Sequence, residues 1–387
     1  MKIAFANARF RTGVPEGADA HVRQVVANAH AIGHEVWMWR PGVHPDAHAL
    51  PEHRLARLRV LRTMDVLYTR VQHEATNPLT WTLGPRRALL GNPLVVWEFN
   101  TVPEYGKYRG MSSAQIQEQI DRFRHFGRGC DLAICVSQHL ADYVQEKLAI
   151  RNVLAVPNGS DPDLYRPDLE PFSRVRKGAD VFNVIWMGSA FTAWHNFALL
   201  AEAAQIIHGN GNPHNIQFHI MGPGMDRMRD MPPNVHYQGS EQYELLPRWL
   251  AGMDAGLCLY RPGPADYSSP LKVFDYMSSA LAVVATDQPQ TRQICAELDQ
   301  NDLLVPSDDP KRLADVLVAL SRDRQRTRRL GQAARELLIR KYTWRRAIVT
   351  IFDAVERMLQ QRRGLGNTEK PAGVPGRAPN SIETTGT

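Results

Sequence analysis

No apolar run in this 387-residue chain approaches the roughly 20 residues needed to cross a bilayer. The opening residues lead straight into a strand-like segment, Lys2–Ala6, without the basic, apolar and small-residue succession of a secretory leader. Cysteine is scarce. Cys130, Cys135, Cys258 and Cys295 fall in no CxxC or Cys/His spacing, which argues against a disulfide scaffold and a structural zinc site. No G-x-G-x-x-G follows the first strand of either half, so nicotinamide dehydrogenase chemistry is not expected. These absences predict a soluble, cytoplasmic globular chain. With 43% hydrophobic and 22% charged residues, it is long enough for two domains.

The formal net charge of +6 suggests a nucleic-acid binder until it is located. Between Ser321 and Arg363 stand 13 Lys/Arg against 4 Asp/Glu, which leaves the rest of the chain slightly acidic. That segment reads as solvated basic helices, with attraction to anionic lipid as the sharper alternative. No nucleic-acid motif accompanies it, and no nucleic-acid partner is expected. Arg54, Arg57, Arg59 and Arg62 alternate with Leu55, Leu58 and Leu61, and Tyr105-Gly-Lys-Tyr-Arg109 mixes aromatic and basic residues. Solvated faces are the default for both, with peripheral contact at an inner membrane face as the alternative.

Short apolar runs alternate with helix-length amphipathic segments. Strands are predicted at Lys2–Ala6, Glu35–Trp39, Asp65–Thr69, Pro93–Trp97, Leu132–Val136 and Val153–Val156. A second series follows at Val181–Met187, Ile216–Met221, Val235–Gln238, Ala255–Tyr260, Leu281–Ala285 and Leu303–Val305. Val22, Val25, Val26, Ala29 and Ile32 share one helical face between the first two. Such alternation builds parallel sheets covered on both faces, so the expected class is α/β with two Rossmann-like, doubly wound domains. The expected division is 1–166, a linker at 167–180, 181–340, a closing helix at 341–363 that packs back on the first domain, and a disordered tail at 364–387. A cleft between the carboxyl ends of the two sheets would hold the ligands.

Chemistry concentrates in Tyr267-Ser-Ser-Pro-Leu-Lys-Val-Phe-Asp-Tyr-Met277. Ser269 is a good N-cap and Pro270 suits the first helical position, so the N–H groups of Leu271 and Lys272 would form an anion site to which Lys272 adds its charge. Asp161-Pro-Asp163 is formally a DxD, but after Pro157-Asn-Gly159 an Asx turn explains it more cheaply than a metal site. No metal ligand is expected.

This stretch, with Ala282-Val-Val-Ala-Thr-Asp287 after it, resembles the donor-binding signature of retaining, nucleotide-sugar-dependent GT-B glycosyltransferases of the family 4 type. Gly13 and Gly17 with Ala20-His21-Val22, Val156-Pro-Asn-Gly-Ser-Asp161, Trp186-Met-Gly-Ser189 and Met221-Gly-Pro-Gly224 resemble further family motifs in the expected order, over about residues 1–360. The resemblance implies metal-independent sugar transfer in the cleft from a UDP- or GDP-linked donor, with no cofactor, to a glycan, lipid-linked or small-molecule acceptor. It implies donor contacts at Gly13, Gly17, Gly188, Ser189, His236, Ser268, Ser269, Pro270, Leu271, Lys272 and Asp275, with Asp275 on the ribose. His21, Glu104 and Tyr105 would lie on the acceptor side.

The sequence departs from the family pattern at three places. Tyr267 replaces the family's first acid. The loop from Ser189 to Asn196 has no formal positive charge where the family has an arginine and a lysine, so Lys272 and a protonated His195 would have to supply it. Asn100 stands where many relatives carry a histidine near the reacting sugar, with Glu98 and Glu104 as the nearby carboxylates. Lys272, His195, Asn100 and Glu98 are therefore the expected catalytic set. The alternatives are a non-catalytic partner subunit and a nucleotide-sugar epimerase on the same fold.

Overall fold

The apolar run after Met1 forms the first strand, and from Ile3 onward it is wholly buried. A computed structural model describes residues 1–8, 17–39, 42–71, 79–175, 178, 180–224 and 231–364. Gly13 and the tail from 365 lie outside these. The first sheet comprises β1 (Lys2–Ala6), β2 (Glu35–Met38), β3 (His48–Ala49), β4 (Val66–Arg70), β5 (Leu94–Phe99), β6 (Leu132–Cys135) and β7 (Val153–Ala155). Its order is β3-β2-β1-β4-β5-β6-β7, all parallel. Its crossovers carry α1 (Gly17–Ala31), α2 (Arg54–Leu61), α3 (Gly84–Leu89), α4 (Ser113–Gly127) and α5 (Gln138–Leu148).

The second sheet repeats the plan with β8 (Phe182–Met187), β9 (Ile216–Met221), β10 (Val235–Gly239), β11 (Ala255–Cys258), β12 (Ala282–Thr286) and β13 (Leu304–Val305). Its order, β10-β9-β8-β11-β12-β13, is again parallel and corresponds to 3-2-1-4-5-6 within the domain, the Rossmann order. Its helices are α6 (Phe197–Gly209), α7 (Leu246–Leu250), α8 (Leu271–Ser278), α9 (Pro289–Leu298), α10 (Pro310–Arg322) and α11 (Arg324–Lys341). Strands buried on both faces must be apolar throughout, which is why they show as continuous runs in the sequence. Val22, Val25, Val26 and Ala29 on α1, and Leu313, Val316, Leu317 and Leu320 on α10, supply the covering apolar stripes.

The final helix, α12 (Trp344–Arg362), returns to the first domain. Ile348, Ile351, Phe352 and Val355 enter that domain's core, while Arg362 and Arg363 pair with Asp131 and Asp65. Several charges of the basic segment are thus spent on docking rather than on a solvated face. Arg335 likewise donates to the carbonyls of Tyr165, Ser278 and Pro162, and Arg324 pairs with Asp254. The stretch from Pro167 is also packed down: Val175 is buried in the second core and Phe172 lies against Trp249.

The chain crosses between domains twice, and the crossings touch. Ser160 N–H donates to the Tyr342 carbonyl at 3.1 Å, and Trp344 N–H to the Ser160 carbonyl at 3.1 Å. A Cβ on Gly159 would come within 2.6 Å of the Tyr342 oxygen, so only glycine permits this approach. Parallel strands bring all carboxyl ends to one edge of each sheet, and contacts across the cleft join them. Arg23 pairs with Glu244 at 2.7 Å, and Ser137 Oγ donates to the Tyr267 carbonyl at 2.8 Å.

Candidate active site

Lys272 occupies the second residue of α8, at the carboxyl edge of the second sheet. The helix begins at Leu271 with Pro270 as its N-cap, one position later than Ser269 capping would give. Ser269 is engaged elsewhere. Its Oγ accepts from Asn158 N–H at 3.1 Å, while Asn158 Nδ2 donates to the Ser269 carbonyl at 2.7 Å. The crossing loop therefore secures the turn entering α8. Ser268 closes the preceding turn, its Oγ donating to the Ala265 carbonyl at 2.7 Å. The first amides of α8, Leu271 and Lys272, have no acceptor within the helix.

The Lys272 side chain is buried, and among the described residues it has no carboxylate partner. Its Nζ lies 5.0 Å from the ring centroids of both Trp186 and Tyr260, and 3.4 Å from His195 Nε2. Burial lowers its pKa to about 8, with Cys258 opposing. His195 is stacked on Tyr260 with centroids 5.3 Å apart and meets Trp186 edge-on at 5.2 Å. Burial and the Lys272 charge push its pKa down to about 2. A protonated His195, expected as a second cation, is therefore corrected: the imidazole is neutral. In the tautomer that lets Nε2 accept from the Lys272 ammonium, Nδ1–H donates to the Ser189 carbonyl at 3.0 Å. Among the described residues this cluster holds one cation, steadied by neutral groups. Such a group is costly to bury without a counter-anion, so an anionic ligand would complete it.

The adjoining turns fix this loop. Gly188 N–H donates to the Met221 carbonyl at 2.9 Å, and Gly222 N–H to the Gly239 carbonyl at 3.0 Å. Gly222 has φ +134°, and a Cβ there would fall 1.5 Å from the Gly188 oxygen. The carboxyl ends of β8, β9 and β10 thus meet in backbone contact.

Asp275, one helical turn after Lys272, is buried, and its Oδ1 accepts from Ser160 Oγ at 2.6 Å. Burial raises its pKa to about 7; the Ser160 hydrogen bond opposes this and Asp161 reinforces it. Asp161 itself accepts from the amides of Asp163 and Leu164, the Asx turn expected there. Tyr267 stacks on His139 at 4.4 Å, so its position is filled by an interdomain aromatic contact.

On the first domain, Glu98 is 1% exposed. Its Oε2 accepts from Tyr68 O–H at 2.7 Å and its Oε1 from Asn100 Nδ2 at 2.7 Å. His21 Nε2 lies 2.9 Å and Arg70 Nε 3.7 Å from Oε1. Burial would raise the Glu98 pKa, but His21, Arg70, Asn100 and Tyr68 together hold it below the usual carboxylate range. His21, expected on the acceptor side, is buried against Trp344 with its pKa lowered to about 4 by burial, despite Glu98. Glu104 accepts from Tyr143 O–H at 2.8 Å, and Tyr105 meets Trp194 of the second domain edge-on at 4.6 Å.

The structure thus brings Gly188, Ser189, His195, Pro270, Leu271 and Lys272 together. Gly17 opens α1. His236 stands apart: its Nε2 contacts Gln217 at 2.6 Å, and Gln217 precedes His219, the residue opposite His236 on β9, so the ring leans away from the carboxyl edge. Trp186, Tyr260 and Ser160 were missed by sequence reasoning. The two aromatics lie on or just beyond strands and look like core, while Ser160 lies 115 residues from its partner Asp275. Among the described residues no group of three or more His, Cys, Asp or Glu side chains is arranged to hold a metal.

Residues 181–323 match the family described as glycosyl transferases group 1. No curated protein matches the sequence. Among solved structures, the chain is similar to sucrose-phosphate synthase from Thermosynechococcus elongatus, at TM-score 0.64 and 15% identity over 93% of this chain and 99% of that one. It is also similar to HepE of Anabaena in complex with UDP-glucose, at TM-score 0.65 and 16% identity over 93% and 100%. A third is WaaG, a glycosyltransferase involved in lipopolysaccharide biosynthesis, at 0.60 and 13% over 93% and 99%. The fold is GT-B.

Proposed function

We propose that this chain, a GT-B protein whose second domain matches the glycosyl transferases group 1, moves a hexose-type sugar from a UDP- or GDP-linked donor to an acceptor hydroxyl. The observation that carries the reading is the buried cation Lys272, without a carboxylate partner among the described residues, beside the free amides of Leu271 and its own backbone. Fixed N–H dipoles and one desolvated ammonium can stabilise the charge growing on a departing diphosphate. The proposed transfer proceeds with retention, needs no metal ion and requires no cofactor beyond the donor. HepE, with UDP-glucose bound in its structure, supports a donor of this class. Asp275 would meet the ribose; Gly188 and Ser189 would line the diphosphate, and Asn100 the reacting sugar.

Calorimetric titration with UDP, GDP, ADP and dTDP tests the reading. UDP or GDP is expected to bind, and failure of all four would contradict it. Because Lys272 must be protonated to bind a diphosphate and its pKa is about 8, affinity should be full below pH 8. Above that, it should fall by up to about tenfold per pH unit.

A peripheral contact with an anionic membrane face belongs to the same proposal, with the chain cytoplasmic and the acceptor a glycan, a lipid-linked sugar or a small molecule. Leu55, 62% exposed, stands beside Arg54 on α2, with Arg57 and Arg59 on the same short helix. This pairing of apolar and basic side chains supports adsorption. Cosedimentation with phosphatidylglycerol vesicles is expected for the wild type and should drop severalfold in Arg57→Glu/Arg59→Glu. Equal pelleting of both proteins would contradict it.

A further inference from the structure

Glu98 is almost wholly buried, yet it takes four polar neighbours from three elements. Tyr68 and Arg70 come from β4, His21 from α1, and Asn100 from the turn just after β5. An ionised carboxylate only accepts, so the contact with Asn100 at 2.7 Å must be made by the amide NH2. The Asn100 carbonyl oxygen is then turned away from Glu98, and among the described residues it has no partner. Asn100 itself is only half-buried, at the carboxyl edge of the first sheet.

We infer that Glu98 is a positioning residue that holds Asn100 with its side-chain carbonyl oxygen toward the cleft, where it accepts a hydrogen bond from a hydroxyl of the reacting sugars. This rests on the transferase reading above. A free amide can present either end, and its NH2 would offer a donor where a hydroxyl needs an acceptor. A charged acceptor on one side removes that ambiguity. Tyr68 and Arg70 hold Glu98 from β4, while His21, itself packed on Trp344 of α12, closes the other side. The same geometry explains why the carboxylate is present although it touches no substrate: it acts through Asn100.

The test measures hydrolysis of UDP-glucose and GDP-mannose, with water as acceptor, by the full chain and its variants. Asn100→Ala and Glu98→Gln are each expected to lower kcat by about 10–100-fold with little change in KM, as mispositioning does. The double variant should be no slower than the slower single one, because both act at one point. Tyr68→Phe, which removes a Glu98 partner but leaves the Asn100 contact, should keep most of the activity. Asn100→Asp leaves the buried carboxylate untouched and sets a second carboxyl against it. Two carboxylates at this distance resist joint ionisation. The activity of this variant relative to wild type is therefore expected to fall at least about tenfold from pH 5 to pH 8. Independent losses in the double variant, equal losses in Tyr68→Phe and Glu98→Gln, or a flat Asn100→Asp ratio would each overturn the positioning role while leaving the transferase reading intact. A wild-type chain that hydrolyses neither donor would overturn the transferase reading and this role with it.

Discussion

Replacing Lys272 by methionine is expected to lower nucleotide-sugar turnover by about 10²–10³-fold, the usual cost of removing one preorganised group from a developing anion. Among the described residues no other cation contacts His195 or the rings around Lys272. His195, the nearest polar neighbour at 3.4 Å, is kept neutral by burial and by Lys272 itself, with its pKa near 2. Removing the lysine raises the imidazole's proton affinity, but burial, the larger cause of the depression, remains. Methionine keeps the apolar stem packed between Trp186 and Tyr260 and removes a buried cation. The folded-state pKa of Lys272 lies below its ordinary value, so the folded state binds fewer protons than the unfolded chain between about pH 8 and 10.5. Stability contributed by this group rises with pH across that window. At pH 7 the charged form burdens the fold, and the methionine variant should melt no lower than the wild type. Loss of turnover with an unchanged or raised melting temperature is the expected result of steady-state kinetics paired with calorimetry. A parallel loss of both would assign Lys272 to the scaffold.

Gly222→Ala is expected to be the most damaging single-methyl change near the site. Its φ of +134° is a backbone state that residues with a Cβ avoid, and the added carbon would lie 1.5 Å from the Gly188 carbonyl oxygen. Rigid backbone cannot yield as a side chain can. The turns after β8 and β9 must separate, costing about 3 kcal/mol or more and displacing Ser189 and His195. Gly211→Ala is the matching control. Gly211 also has positive φ, +79°, but open space surrounds its Cβ position, so about 1–2 kcal/mol is expected. Denaturant titration of the two variants separates steric contact from backbone strain. Equal costs would mean that the Gly188–Gly222 contact adds nothing to the backbone strain.

Much of the fold was legible because parallel strands covered on both faces must be apolar along their whole length. Val181–Met187 and Ile216–Met221 announce themselves, whereas β3, only His48–Ala49, has too few residues for any pattern. α8 starts one residue later than its sequence predicts, since Ser269 has the chemistry of a cap but is bound to Asn158, 111 residues away. Of the candidate site, the segment entering α8 with Lys272 was legible, because one short stretch carries both the turn and the cation. The site was not legible where burial decides charge. His195 and Glu98 were picked out by position, yet nothing in their spacing says that one is neutral and the other enclosed by four partners. The aromatic walls at Trp186 and Tyr260 resemble core residues until Lys272 is seen between them.

In the proposed complex the diphosphate of a nucleotide donor sits at the start of α8 against Lys272. A crystal structure of the protein soaked with UDP and, separately, GDP tests it most directly. β-Phosphate oxygens are expected within hydrogen-bond distance of Lys272 Nζ and the Leu271 and Lys272 amides, with the ribose at Asp275. A well-ordered nucleotide bound elsewhere, with Lys272 still enclosed by Trp186, Tyr260 and His195, would contradict it.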